Sequence, residues 1–408
     1  MTVTLPLRVY AWEDNILENV DILVPGGTST VSATYTQVNL YDWNPGLPCI
    51  LRPWWVFRDG AGPGLQNNLF PLDYPAGTPV ADLQIPVAGY NEDTVTSTIE
   101  GLVGPIVGGL TNGAYSLTTH KFSIASTSSF DLPWTRLQIN QRCGTTLGYD
   151  TSTDDSGAAS YTADNATVCE DAQIVGWDCG DYTRAKPVKC VMIYMGPSVL
   201  GSTDTVTAYG SNKDHGADWM AWDGAAEYQG EEQLLHSNGI NHMHLWFPED
   251  DGIDYGLRYW MIAVKRRAAA GAATSTKIGV AGIWTEAWYE DDYNYSAPWV
   301  PEIVTGDVSS RAPGGGGLAV ARNREHFRIT LPFRQWPGAT YRALAKLRWK
   351  RGLTPHLFVC NAKDVVTDNA IFGTIEGLKH KGYSNVEEDA DFDMIIEQVP
   401  MEARGPIT

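Results

Sequence analysis

The chain has 408 residues and a formal net charge of −19, with 29 Lys and Arg residues against 48 Asp and Glu residues. Residues 1–300 hold 15 basic and 35 acidic side chains, a net charge of −20, whereas residues 301–408 hold 14 and 13. Such a length predicts two or three domains with a large buried core. An acidic front repels phosphates, so binding to nucleic acid or to an anionic membrane surface is disfavoured.

The N-terminal segment gives no sign of export. Residues 1–8 lack a basic stretch followed by an apolar run, so no signal peptide is expected. No stretch approaches 18 apolar residues, which argues against a membrane span. In a cytosolic protein the six cysteines are expected to stay reduced, and disulfide pairing is the alternative that their even number leaves open.

The first half of the chain has two different patterns. Residues 8–58 show strand-like alternation, most clearly in Thr30–Thr36, with turn residues between the apolar stretches. Residues 59–173 are rich in Gly, Ser and Thr, and the polar stretch 144–163 is typical of an exposed loop. We interpret residues 59–173 as an insertion.

From Ile174 onward, short apolar strands alternate with turns. This spacing favours an antiparallel sandwich of about seven or eight strands. The predicted strands are 174–179, 187–195, 205–209, 241–247, 258–264 and 277–283.

The last hundred residues predict a separate module. Residues 301–321, which contain four consecutive glycines, are expected to form a linker or an extended arm. Phe327–Leu331 then alternates as a strand, and Tyr341–Arg351 has helical spacing. Further strands are expected at 356–360, 370–378 and 392–399. The predicted fold class is therefore mainly β: an antiparallel jelly-roll sandwich with a large insertion, plus a C-terminal β module containing one short helix.

Several short motifs within residues 174–283 follow one another in a set order. They are Trp177–Gly180, the strand before Gly196-Pro197, Val206–Asn212, Arg258–Ile262 and Lys277–Val280. In this order they resemble a discoidin-like (F5/8 type C, galactose-binding-like) jelly roll, as found in phage structural proteins. Residues 38–42 look like the opening turn of the same fold.

The tail, from Arg324 to Val399, is similar to a C-terminal module that follows such jelly rolls in phage proteins. The pieces that carry this resemblance are Phe327–Phe333, the helix, Leu357–Val359, Phe372–Thr374 and Asp393–Glu397. The order of elements in the tail, a strand followed by one helix and further strands, also resembles tail-tube-like folds. Such folds assemble by joining sheets between subunits. The domains implied are 1–58 with 174–300 as the jelly roll, 59–173 as the insertion, 301–321 as the linker and 322–408 as a C-terminal assembly module.

The resemblance implies a non-enzymatic structural component of a tailed-phage virion, placed in the tail, baseplate or neck. Such a chain would be made in the host cytoplasm, form a homo-oligomer and bind other virion proteins. A glycan-binding host-attachment protein is the alternative, and a polysaccharide-acting enzyme is a third. The residues supply no GxSxG elbow, phosphate-binding GxxxxGK[ST] loop or recognisable Cys/His pair, so no catalytic residue and no obligate cofactor are predicted.

Two patterns are candidates for metal binding. His242 and His244 would point to one face of a strand, which suits two imidazole ligands, although such a pair also occurs on solvent-facing strands. Asp250, Asp251 and Asp254 surround a glycine turn and could bind Ca²⁺. They lack the complete spacing of an EF-hand loop, and a solvated turn is the competing interpretation.

Two further groups are candidates for binding surfaces. Trp219, Trp222, Trp284, Trp288 and Tyr289 lie among acidic residues, a setting that suits stacking on a host surface glycan. Burial in the core or at a subunit interface is the alternative for these rings. The helix near the C-terminus presents a basic face that could meet an acidic neighbour, or could be a solvated surface. Its members are Arg342, Lys346, Lys350 and Arg351.

Overall fold

The protein is mainly β, as predicted, and its strands pair in antiparallel sheets. The structure is a computed structural model. None of the helices among the described residues has the length and hydrophobicity needed to span a bilayer. The structure describes residues 6–19, 21–23, 37–41, 49–60, 66–80, 82–107, 112–116, 118–167, 172–195, 203–215, 219–234, 243–265, 275–294, 300–304, 307–311, 317–321, 326–351, 354–360, 370–383 and 389–399.

The elements are numbered along the chain. The helices are α1 Glu92–Val107, α2 Cys143–Leu147, α3 Gly180–Arg184, α4 Trp219–Ala225 and α5 Gly338–Arg351. The strands are β1 Pro6–Tyr10, β2 Asp21–Leu23, β3 Cys49–Leu51, β4 Trp55–Phe57, β5 Leu69–Phe70, β6 Leu83–Gln84, β7 Ala88–Tyr90, β8 Asn112–Ser116, β9 Lys121–Leu132, β10 Asp155–Thr162, β11 Ala172–Asp178, β12 Cys190–Met195, β13 Thr205–Ser211, β14 Tyr228–Gln229, β15 Gln233–Leu234, β16 Met243–Trp246, β17 Tyr259–Lys265, β18 Thr276–Trp284, β19 Tyr289–Asn294, β20 Val300–Val304, β21 Asp307–Arg311, β22 Gly317–Ala321, β23 His326–Pro337, β24 His356–Val359, β25 Ala370–Tyr383 and β26 Asp389–Gln398.

Two sheets form a sandwich. One has the strand order β14-β13-β17-β11-β2, with β15 also pairing with β13, and the other has the order β16-β12-β18-β3. Their facing side chains make one buried core, to which Val206 and Ala208 contribute from β13 and Val191 and Ile193 from β12. Alternate residues of each strand enter this core because successive strand side chains point to opposite faces.

A seven-stranded sheet contains both ends of the described chain. Its order is β19-β1-β24-β25-β26-β23-β20. Strand β1 lies between β19 and β24, with Arg8 opposite both Glu290 and Val359. The expected division placed residues 1–58 in the sandwich and 301–321 in a linker, yet β1 and β20 are strands of this sheet. Local sequence patterns did not show this, because the partners of β1 are β19 and β24, which lie far along the chain.

The four-stranded sheet is shared between two cores. Met192 and Tyr194 lie on the face of β12 opposite to the sandwich core, and they pack with Leu357 and Phe372 of the seven-stranded sheet. The Tyr194 hydroxyl also donates a hydrogen bond to the main-chain oxygen of Val399 at 3.2 Å. Helix α5 covers the other face of the seven-stranded sheet. The body is therefore layered as helix, seven-stranded sheet, four-stranded sheet and six-stranded sheet.

The insertion has a core of its own. Helix α1 packs on the sheet β10-β9-β8, and Val95, Ile99, Val103 and Val107 are buried at a spacing of four residues. The stretch 144–163, expected to be an exposed loop, contains most of α2 and all of β10. Strand β10 pairs with the long strand β9, so its polar residues belong to a half-exposed sheet.

The segment expected to be a linker is largely structured. Strand β20 pairs with β23 over five residues, and β21 pairs with β22 as a hairpin. Residues 312–316, which include three of the four consecutive glycines, lie outside the described residues, as does the predicted strand Thr30–Thr36.

Candidate functional site

Helix α5 is held on its sheet by an apolar face. Leu344 and Leu347 lie one turn apart on the helix and are fully buried against the sheet. The Tyr341 ring lies 5.2 Å from the ring of Phe392 on β26, edge to face. These contacts fix the helix and leave its opposite side in solvent.

The solvent side of α5 carries a large exposed aromatic residue. Trp349 exposes 90% of its surface, more than any other large hydrophobic side chain among the described residues. It borders a groove of about 300 Å³ whose wall also includes Ala345, Arg348 and Leu378. Arg348 is held at the rim, because its Nη2 donates a hydrogen bond to the main-chain oxygen of Glu376 at 2.8 Å. Exposed tryptophan beside a groove is typical of a residue that anchors a partner.

The same side of the helix is basic. Residues 338–351 contain five Lys and Arg residues and no acidic residue, in a chain whose net charge is −19. Arg342 and Lys346 are exposed, as expected for a basic face. Lys350 and Arg351 lie in the helix, but their side chains are outside the described residues. We call this surface the α5 face; it consists of Tyr341, Arg342, Ala345, Lys346, Arg348 and Trp349.

The sequence predicted only the basic part of the α5 face. Trp349 was missed as a site residue, although a signal was present. It lies between Arg348 and Lys350, one position off the apolar stripe that contains Leu344. A tryptophan outside the buried stripe of an amphipathic helix is expected to face solvent.

Two of the five aromatic residues proposed as a glycan platform are buried in cores. Trp222, a residue of α4, is 2% exposed, and Trp284 is fully buried with its Nε1 donating to the main-chain oxygen of Ala11 at 2.8 Å. Trp288 and Tyr289 are partly buried against the seven-stranded sheet. The side chain of Trp219 lies outside the described residues. Burial in a core, the alternative weighed for these rings, holds for Trp222 and Trp284.

Of the histidine pair, only His244 lies among the described residues, and it is buried. His242 lies outside the described residues. His244 is 1% exposed, and its Nδ1 lies 3.2 Å from Oε1 of Gln233. Its ring is stacked on Trp246. Met243 faces the core between the four- and seven-stranded sheets, as expected from strand alternation. His244 is therefore a packed, hydrogen-bonded core residue.

Two of the three carboxylates proposed to bind calcium make other contacts. Asp250 forms an ion pair with Arg8, with Nη2 and Oδ1 3.1 Å apart. Asp251 accepts a hydrogen bond from the hydroxyl of Tyr228 at 2.9 Å, and Asp254 is exposed. The described residues contain no group of three or more His, Cys, Asp or Glu side chains placed to hold one metal ion. The turn thus gives no geometric support to the calcium prediction.

Arg8 joins the acidic turn to the seven-stranded sheet, a role that the sequence did not suggest. Its Nε lies 2.8 Å from Oε1 of Glu290 on β19, while its guanidinium also binds Asp250. Lys189 extends the network, at 3.0 Å from Glu290 and 3.5 Å from Glu249. These ion pairs connect the sandwich to the seven-stranded sheet.

The five cysteines that the structure describes are not placed for nucleophilic chemistry or disulfide formation. The five described cysteines are free and buried, while Cys169 lies outside the described residues. Burial raises the pKa of Cys49 and of Cys360 to about 12. Burial also raises the pKa of the Cys143, Cys179 and Cys190 thiols. These thiols are protonated at neutral pH, and the thiolate is the reactive form.

One serine–histidine pair lies within hydrogen-bonding distance. Ser211 Oγ is 3.1 Å from His215 Nε2, and the His215 ring packs edge-on against Trp222. Ser211 is fully buried and also accepts a hydrogen bond from the main-chain nitrogen of Lys213. A nucleophile must reach its substrate, so this pair fits a structural role at the end of β13.

The α5 face is therefore the best-supported functional surface, since it combines an exposed aromatic ring, a groove and several cations.

The chain matches no protein-family model, no curated protein and no solved structure.

Proposed function

We propose that the chain is a non-enzymatic structural component of a tailed-phage virion, in the tail, baseplate or neck, and that the α5 face is a contact with other virion subunits. The observation that carries the proposal is the exposure of Trp349 on a basic helix. The helix itself rests on a buried apolar face, so exposing Trp349 does nothing for the fold.

The energy available at such a residue supports an assembly role. Burying a whole tryptophan side chain removes about 250 Å² from water, which corresponds to about 6 kcal/mol of gross stabilisation. Part of this is offset by the lost freedom of the partners. The remainder is typical of a residue that dominates an interface.

The phage setting rests on the resemblances in motif order along residues 174–283 and 324–399. The layered β body suits the proposal, because closely packed sheets give a rigid support for surface contacts. The glycan-binding alternative has less support, since Trp222 and Trp284 are buried and offer no stacking surface.

The test asks whether the chain belongs to particles. Phage particles from the source culture are separated on a density gradient, and fractions are probed with an antibody against the chain. The proposal predicts that the chain sediments with intact particles. A chain found only in the soluble fractions would overturn the virion assignment.

The role of the α5 face is tested by incorporation of tagged variants supplied in trans. Trp349→Ala is expected to lower incorporation into particles by about tenfold or more, the effect of losing an interface anchor. Tyr182→Ala is the matched control, because Tyr182 is also an exposed aromatic residue on a helix, 53% exposed on α3. Equal incorporation of both variants would remove the α5 face from the proposal.

A further inference from the structure

The α5 face has a charge opposite to that of most of its own chain. The helix contributes five positive charges and no negative one, while residues 1–300 carry a net charge of −20. A surface of this kind attracts an acidic partner and is screened by salt. A second copy of the chain offers such a partner at the same concentration as the helix itself.

The insertion contains acidic residues that face solvent together. Asp150, Asp154 and Asp164 are exposed, and Asp155 is half-buried beside them. Burial raises the pKa of Asp155, with a contribution from the negative charges of the other three. The main-chain nitrogen of Asp150 also donates a hydrogen bond to Oδ2 of Asp164 at 2.8 Å, so these two aspartates are neighbours on this surface.

These carboxylates are not neutralised within the described part of the chain. Asp150 accepts hydrogen bonds from Ser152, and Asp154 accepts them from Thr135. Lys121 lies nearby, but it donates to the main-chain oxygen of Asp164. None of the ion pairs among the described residues includes these four aspartates.

Several other acidic side chains are paired inside the molecule. Asp250 binds Arg8, Asp178 binds Arg258 and Glu92 binds Arg52. The four aspartates of the insertion are in none of these ion pairs, so their negative charge can attract the cations of the α5 face.

We propose that the α5 face of one copy binds the aspartate surface of the insertion of a second copy, with Trp349 as the apolar anchor between the cations. This inference rests on the proposed function, because it names the partner of the same surface. The contact joins two different patches, so each copy can bind one neighbour through α5 and another through its insertion. A contact of this type closes into a ring or continues as a filament.

The first experiment identifies the partner directly. The purified full chain carries the photo-crosslinking residue benzoylphenylalanine in place of Trp349, and equal amounts of unlabelled and nitrogen-15-labelled protein are mixed before irradiation. The expected product joins residue 349 of one isotopic form to the tryptic peptide 143–184 of the other, which contains all four aspartates. A cross-link to a different peptide, or no cross-link between the two forms, would overturn the proposal.

Charge variants test the electrostatic part, with assembly measured by light scattering after gel filtration. The double variant Arg342→Glu/Lys346→Glu is expected to weaken self-association by about tenfold or more. The triple variant Asp150→Asn/Asp154→Asn/Asp164→Asn is expected to do the same, since each substitution removes a negative charge while the amide keeps one acceptor oxygen for the local hydrogen bonds. Raising the salt from about 0.05 M to about 0.5 M should weaken the wild type and change the variants less.

Matched controls make equal changes of net charge elsewhere. Lys213→Glu/Lys277→Glu controls the basic pair, and Asp181→Asn/Glu231→Gln/Asp254→Asn controls the aspartates. Both controls should assemble like the wild type; if they lose assembly to the same degree, general charge and not this contact is responsible.

The outcomes separate this inference from the proposed function. A wild type that is monomeric when purified, but whose Arg342→Glu/Lys346→Glu variant is lost from particles, would mean that another virion protein covers α5. That result overturns the inference and leaves the function standing. Self-association through peptide 143–184, without any association with particles, would overturn the virion assignment and leave the contact standing.

Discussion

Trp54 and Trp55 are neighbours in the chain and are buried in two different cores. Trp54 lies on the outer face of the six-stranded sheet, where its Nε1 donates to the main-chain oxygen of Ala172 at 2.6 Å. Trp55 lies in the core of the insertion, with its ring 5.1 Å from that of Tyr115. Val56 and Phe57 continue the alternation. This extended segment therefore attaches the insertion to the sandwich through side chains that point in opposite directions.

The two tryptophans should respond differently to replacement by phenylalanine. Trp54→Phe leaves the oxygen of Ala172 without this donor, whereas the Nε1 of Trp55 has no hydrogen-bond partner among the described residues. We expect Trp54→Phe to lower the free energy of unfolding by about 1–2 kcal/mol more than Trp55→Phe. Urea unfolding followed by circular dichroism measures the difference. Equal losses would show that packing volume outweighs the hydrogen bond.

Arg8 should contribute more stability than an exposed ion pair. Its side chain is 16% exposed and binds both Asp250 and Glu290. Replacement by glutamine removes the cation that binds Asp250 and leaves Glu290 with Lys189 alone, at an expected cost of about 1–2 kcal/mol. Urea unfolding again gives the measurement, with Lys186→Gln as the control, because Lys186 and its partner Glu286 are both more than half exposed. A control variant as unstable as Arg8→Gln would contradict the special role of Arg8.

Asp178 should make part of the stability depend on pH. Hydrogen bonds from Arg258 lower the pKa of Asp178 below its ordinary value of 3.8. A folded pKa below the unfolded one means that the ionised carboxylate stabilises the fold above about pH 3.8, and that this contribution disappears as the pH falls through the lowered pKa. The stability advantage over Asp178→Asn should therefore be full at neutral pH and vanish in acid.

Unfolding curves collected from neutral pH down to about pH 2 test this dependence on Asp178. Asp254→Asn serves as the control for the removal of an exposed charge. An advantage over Asp178→Asn that stays constant down to the lowest pH would show that the Arg258 contact does not act through ionisation.

The cysteines should be protected until the protein unfolds. Iodoacetamide reacts with thiolates, and the five described thiols are buried with raised pKa values. At neutral pH we expect no label on Cys49, Cys143, Cys179, Cys190 or Cys360 in the native protein, and label on all six cysteines in urea. Peptide mass spectrometry reads each site. Rapid labelling of any of the five before unfolding would contradict their burial.

Local periodicity predicted the elements that depend on local contacts. The mainly β class, the strands near residues 190, 205 and 260, and helix α5 all follow from repeats of apolar residues. Helix α1 was missed, because its Gly and β-branched residues and Pro105 are poor helix formers. Its signals were the Asn91 side chain, which accepts hydrogen bonds from the main-chain nitrogens of Asp93 and Thr94, and a valine or isoleucine at every fourth position.

Long-range pairing could not be read from the sequence. The alternation of β1 predicts a strand, but two sheets were available to receive it. Likewise, the exposed cations of α5 were predicted from the run of Lys and Arg, whereas the burial of Trp284 depends on contacts with Tyr10 and Trp12 far away in the chain. Trp284 is buried although acidic residues follow it in the sequence, because the seven-stranded sheet covers this face of β18.

The pairing of β1 with β24 has a consequence for synthesis on the ribosome. The main-chain nitrogen of Trp12 donates to Nδ1 of His356, which follows it by 344 residues. At about 5–20 residues per second, β1 waits roughly 20–70 seconds for this partner. The helix is made shortly before β24, but its supporting residue Phe392 comes later still. Only a chain synthesised through β26 can therefore present α5 on the complete seven-stranded sheet.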